Sequence, residues 1–185
     1  MDIIRAMKDP KLFGPWFRHP TSWLPWMAFL AVLFHLPMDE TQKATALACM
    51  GLEELPDRPF FEAWLVVGRR GGKSLILALI AVYLALFTDW TKRLVPGERG
   101  TVLVLAADRK QAQSIMRYAT AMIEQVPMLR GKIERITSEE IELKGRIAIE
   151  VGTASYRTTR GRTLIAALLD EIAFFRSDDL SLIHI

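Results

Sequence analysis

Six apolar residues, Leu164-Ile165-Ala166-Ala167-Leu168-Leu169, run without interruption into Asp170-Glu171. A short run with no polar alternation predicts a strand buried on both faces, as in a parallel sheet covered by helices. The two carboxylates must then emerge where the strand ends. Far upstream stands Gly71-Gly72-Lys73-Ser74, between the apolar stretch Ala63–Val67 and the apolar stretch Leu75–Phe87. That order reads as strand, glycine turn, helix. Backbone N–H groups and a lysine can cradle phosphate, a hydroxyl can hold Mg²⁺, and two carboxylates can serve the metal and a water. Together the two segments predict a site that binds and splits a nucleoside triphosphate.

The remaining composition narrows the setting. The 185 residues suffice for one sizeable domain, and 51% are hydrophobic. Yet the apolar runs Trp23–Leu36, broken by Pro25, and Leu75–Phe87 fall short of the ~20 residues a spanning helix needs. Met1-Asp2-Ile3-Ile4-Arg5 lacks the basic-then-apolar order of a secretory leader. These features predict a cytosolic protein without a membrane partner. Cys49 is the only cysteine, so no disulfide can form within the chain, and His19, His35 and His184 have no metal-ligand spacing. A net charge of +3 allows a nucleic-acid partner without arguing for one.

Two regions differ in texture. Residues 1–61 read as helices and loops: a buried helix over Trp26–Leu36, and a second over Asp39–Met50 with Asp39 as N-cap and Gly51 as its stop. Residues 62–185 alternate strands and helices. Strands are predicted at Ala63–Val67, Thr101–Ala106, Ile133–Ile136, Glu140–Leu143, Ile147–Val151 and Leu164–Leu169. Helices are predicted from Lys73 to about Thr88 and from Arg109 to about Gln125, and a hairpin across Lys144-Gly145. The fold class expected is α/β, a P-loop NTPase of RecA/ASCE-like type, with a parallel or mixed sheet and helices on both faces. The chain stops soon after the carboxylate pair, and we expect a molecule truncated after that strand.

In Gly68-Arg69-Arg70-Gly71-Gly72-Lys73-Ser74 the spacing departs from G-x-x-x-x-G-K-S, which would put glycine where Val67 stands. Lys73 is expected to reach the terminal phosphates, and Ser74 with Asp170 to hold Mg²⁺. Glu171 is expected to deprotonate the attacking water. Adjacent Arg69 and Arg70 repel each other in a plain turn but suit a loop wrapped around a triphosphate. The alternatives are a basic turn that only reverses the chain, and an Asp-Glu pair that only solvates a strand end.

The same residues resemble the large terminase subunit of tailed bacteriophages, the motor that packages DNA. The resemblance rests on the arginine-containing loop Gly68–Ser74, on Leu168-Leu169-Asp170-Glu171-Ile172-Ala173-Phe174-Phe175 and on Ala106-Ala107-Asp108-Arg109-Lys110-Gln111-Ala112. Thr153-Ala154-Ser155 with Arg160-Gly161 adds to it. It runs from about Phe13 to Asp179. It implies an ATPase domain lacking the nuclease domain and the coupling motif that come next in that family. It further implies ATP and Mg²⁺, double-stranded DNA, a portal protein and a small terminase subunit as partners, a homo-oligomeric ring, and the cytoplasm of an infected bacterial host. By the same resemblance Arg69 contacts the γ-phosphate, and Arg160 is an arginine finger for a neighbouring subunit. Trp23, Trp26 and Gln42 are candidates for an adenine pocket. Two other functions stay open: a helicase-like or other P-loop ATPase, and a nucleotide-binding assembly module that does not hydrolyse.

Overall fold

The computed structural model describes residues 1–153 and 161–175, which divide into two compact units, Met1–Gly71 and Gly72–Ile185. The boundary comes after Gly71 rather than before Glu62, where the texture of the sequence changes.

The first unit is helical: α1 (Ile3–Lys8), α2 (Leu24–Leu33) and α3 (Glu40–Met50), with 3-10 turns at Gly14–Trp16 and Pro20–Trp23. Ile3, Ala6, Met7, Phe13, Leu30 and Ala31 are fully buried or nearly so and form its core. The start of α3 is closed by a capping box. Asp39 accepts from the Gln42 backbone N–H at 2.8 Å, and Gln42 Oε1 accepts from the Asp39 N–H at 3.1 Å. The Gln42 side chain thus closes the helix start through Oε1 and is 5% exposed. Trp23 and Trp26 are half-buried and donate to backbone oxygens, Trp23 to Arg18 and Trp26 to Gly71.

Ala63–Val67 does not form the expected strand. It joins no sheet ladder, and Trp64 and Val66 are 73% and 107% exposed. Aromatic and β-branched residues favour a strand only where a partner and a covering face exist. Composition alone cannot supply either.

The second unit is an α/β sandwich. Its helices are α4 (Lys73–Phe87), α5 (Arg109–Glu124) and the short α6 (Pro127–Arg130). Its strands are β1 (Gly100–Ala106), β2 (Ile133–Ile136), β3 (Glu140–Leu143), β4 (Ile147–Thr153) and β5 (Thr163–Asp170). The sheet is mixed, in the order β2-β3-β4-β1-β5. β1 pairs in parallel with both β4 and β5, while β2, β3 and β4 form an antiparallel meander. α4 is apolar almost all round and correspondingly buried, from Ile76 through Ala85. α5 buries one stripe, Ala112, Ile115, Met116, Ala119, Met122 and Ile123, at helical spacing.

α4 and α5 touch each other and the same strands, β1 and β4. Within this unit they therefore share one face, and helices on both faces are not what the described residues form. Glu140, Glu142, Glu150 and Thr101 project from the sheet together by register and alternation. There Arg99 pairs with Glu140, Glu142 and Glu150, Arg135 with Glu140 and Glu142, and Arg162 with Glu150. β5 is also not the buried strand its composition predicts. It lies at the edge of the described sheet, with Leu164 42% and Leu169 43% exposed. Among the described residues only β1 pairs with it.

Candidate functional site

The site begins with a register. β1 and β5 run in parallel, and Ala106 pairs with Asp170 at their carboxyl ends. The segments leaving these two strands therefore emerge at one edge of the sheet. After β1 comes Asp108, which caps α5 by accepting from the backbone N–H groups of Lys110 and Gln111 at 2.8 and 3.0 Å. After β5 comes Glu171, held in the left-handed region at φ 55°. A side chain other than glycine seldom adopts that conformation, and such residues collect at functional sites.

Three charged side chains converge there. Lys73, the first residue of α4, places Nζ 2.8 Å from Asp170 Oδ1 and 3.1 Å from Glu171 Oε1. Asp170 is 2% exposed. Among the described residues, no donor reaches its Oδ1 apart from that ammonium. The second oxygen of Glu171, Oε2, accepts from Gln111 Nε2 at 2.6 Å. The Glu171 carboxyl is held below its ordinary value, first by the Gln111 hydrogen bond and then by Lys73. For Lys73, burial pulls downward, but the hydrogen bonds and charges of Asp170 and Glu171 outweigh it and hold the ammonium above its ordinary value. Lys73 and Glu171 are therefore both charged near neutrality.

The glycine turn leads directly into this cluster. Gly72 is the N-cap of α4 with φ 82°, and a Cβ there would be strained. In the turn before it, Gly71 N–H donates to Gly68 O at 3.2 Å. A Cβ on Gly71 would lie 2.7 Å from Val67 Cγ1 and 3.1 Å from Gly68 O, so a larger residue at 71 would force the turn or Val67 to shift. Arg70 sits at φ 61°, and Trp26 Nε1 donates to Gly71 O at 2.6 Å. Arg69 and Arg70 are exposed. Gly68, Arg69, Arg70 and Gly71 close the first unit, whereas Gly72, Lys73 and Ser74 open the second. Ser74 is half-buried in the first turn of α4, one residue beyond Lys73. Arg160 lies outside the described residues.

Of the residues picked from sequence, the structure thus brings Lys73, Asp170 and Glu171 together. Gln111 was not among them. Its sequence signals are its place in the segment Ala106–Ala112 that shares in the resemblance, and in the first turn of a helix capped by Asp108.

Could a cation be held here? Among the described residues, no group of three or more His, Cys, Asp or Glu side chains is placed to hold a metal by itself. A magnesium ion bound through one or two protein oxygens, with phosphate oxygens completing its shell, does not need one. The buried Asp170 Oδ1, which among the described residues faces only the Lys73 ammonium, and the hydroxyl of Ser74, next to Lys73 in the chain, are donors of that kind, so the residues fit.

A cavity of about 700 Å³ opens elsewhere in this unit, lined in part by Arg99, Arg109, Arg135, Arg162, Glu139, Glu140 and Glu150. Each of those arginines is ion-paired with a glutamate. Among the described residues, no helix is long and apolar enough to cross a membrane. No family model and no curated protein matches the chain.

Proposed function

We propose that the chain is a P-loop ATPase, the ATPase part of a DNA-packaging motor of the kind that the terminase resemblance implies. One observation carries the reading. The lysine that ends the glycine turn opens a helix and lies within 3.1 Å of both carboxylates that end the parallel strand, although 98 residues separate Lys73 from Glu171.

The chemistry is set by the side chains. Lys73 exchanges its carboxylate partners for the more highly charged terminal phosphates of ATP, with backbone N–H groups at the start of α4 beside it. Ser74 and Asp170 would hold Mg²⁺, which when bound neutralises phosphate charge. Glu171, ionised and freed from Lys73, accepts a proton from the water that attacks the γ-phosphorus, and ADP leaves with its new negative charge facing Lys73. Arg69 is exposed in the turn and, by the resemblance, adds charge against the γ-phosphate. In this proposal Arg160 serves a neighbouring subunit of a homo-oligomeric ring. The wider setting also rests on the resemblance: double-stranded DNA, a portal protein, a small terminase subunit and the cytoplasm of an infected bacterium.

Role separation tests the reading. Lys73→Ala should abolish ATP binding, whereas Glu171→Gln should keep binding and lose turnover. Equal loss of nucleotide affinity in the two variants contradicts the assigned roles.

A further inference from the structure

We propose that Gln111 is the positioning residue for Glu171, holding one carboxylate oxygen in place so that the other is left for the attacking water. The inference rests on the hydrolytic reading above and deepens it by giving the two oxygens different jobs.

The geometry already separates them. Oε1 faces the Lys73 ammonium at 3.1 Å, and Oε2 accepts from Gln111 Nε2 at 2.6 Å. A triphosphate competes for the ammonium because it carries more charge than a single carboxylate, so Oε1 loses its partner when nucleotide arrives. Gln111 is neutral and has no such competitor of opposite charge. Its backbone is also fixed: its N–H donates to Asp108, and Ala112 and Ile115 bury the next turn of the helix. Oε2 therefore stays tethered while Oε1 becomes free. Without the tether, the carboxylate would keep its rotamer freedom at the moment it must align with water, and misalignment of this kind is costly in rate.

The orientation of the amide is enforced by chemistry. An ionised carboxylate only accepts, so the NH₂ group must face it. That leaves Gln111 Oε1 buried without a donor among the described residues. A buried acceptor beside a general base is a place for the second hydrogen of a bound water.

Gln111→Met keeps the length of the side chain and removes the donor. With Mg²⁺ and ATP, kcat should fall roughly 10- to 100-fold while KM and the affinity for a fluorescent ATP analogue stay within about 2-fold. In a Glu171→Gln background the same change should cost nothing more, because the group it positions has already lost its function. An unchanged kcat, or an equal loss in both backgrounds, overturns the proposal. A second measurement needs no turnover. The side-chain amide resonance of Gln111, identified by its disappearance in Gln111→Met, should move when Glu171→Ala removes its acceptor. A resonance that stays in place overturns the contact. A wild-type chain that fails to hydrolyse ATP would overturn the ATPase reading instead, and the spectrum would still decide whether Gln111 holds Glu171.

Discussion

Replacing Lys73 with methionine removes the only donor that reaches Asp170 Oδ1 among the described residues, at a carboxylate that is 2% exposed. Deleting one partner of a buried ion pair costs about 3–5 kcal/mol, because the other charge is left without compensation. The Lys73 side chain is 31% exposed, so water already screens part of the attraction. The expected loss is accordingly about 2–3 kcal/mol. For a chain of this length that corresponds to a drop in Tm of about 4–12 °C, read by thermal unfolding without nucleotide near neutral pH. The control is the double variant Lys73→Met/Asp170→Asn. It removes the stranded charge and should recover most of the lost stability, yet ATP binding should remain absent. Stability and phosphate recognition then separate in one pair of proteins. A single variant that melts within about 2 °C of wild type would refute the reasoning, since it would mean the ammonium compensates nothing. A double variant no more stable than the single would refute it as well.

Other outcomes are expected from the same contacts. Glu171 titrates below its ordinary 4.5, so its contribution to stability is complete above that value and is lost as pH falls through its folded-state value. Lys73 titrates above 10.5, so its contribution is complete below 10.5 and is lost as pH rises through its folded-state value. The stability gap between wild type and Glu171→Gln should therefore be flat between these limits and shrink on the acid side; chemical unfolding across pH that shows a constant gap into acid contradicts the shift. Asp39→Ala breaks the capping box of α3 and should cost about 1 kcal/mol in urea unfolding. If Arg160 acts in trans, an Arg160→Ala subunit mixed with wild type should regain turnover at its own site, and rate per subunit should rise with protein concentration. Fast, concentration-independent turnover by a verified monomer excludes that role.

Local signals were legible where a few neighbouring residues decide the structure. Asp39, three residues ahead of Gln42, marks the start of α3, and Gly51 adopts the left-handed conformation that ends it. Lys73 opens α4, and the β3–β4 hairpin turns where Lys144-Gly145 predicts. What the sequence could not show depends on distant partners. Ala63–Val67 has the composition of a strand and joins no ladder. The apolar run before Asp170 reads as buried on both sides, yet it forms the edge of the described sheet. Gln111 looks like any polar residue in the first turn of an amphipathic helix. Its hydrogen-bond partner Glu171 lies 60 positions away.

That last contact shows how strand register brings a polar side chain to a carboxylate far away in sequence. The Ala106–Asp170 pairing sets the ends of two parallel strands level. One connection then turns into a helix through the Asp108 cap, and the other turns sharply through Glu171 at φ 55°. A residue three positions beyond Asp108, in the first turn of that helix, is thereby brought within 2.6 Å of the carboxylate. The same level ends let Lys73 reach both carboxylates from the start of α4. The cluster needs neither a long loop nor a buried cavity. Its members sit at or beside helix and strand ends, and groups carried on such elements are placed more precisely than groups on loops. A change of register between β1 and β5 would move Asp170 and Glu171 relative to Asp108 and Gln111, and would separate Glu171 from Gln111 while leaving every side chain intact.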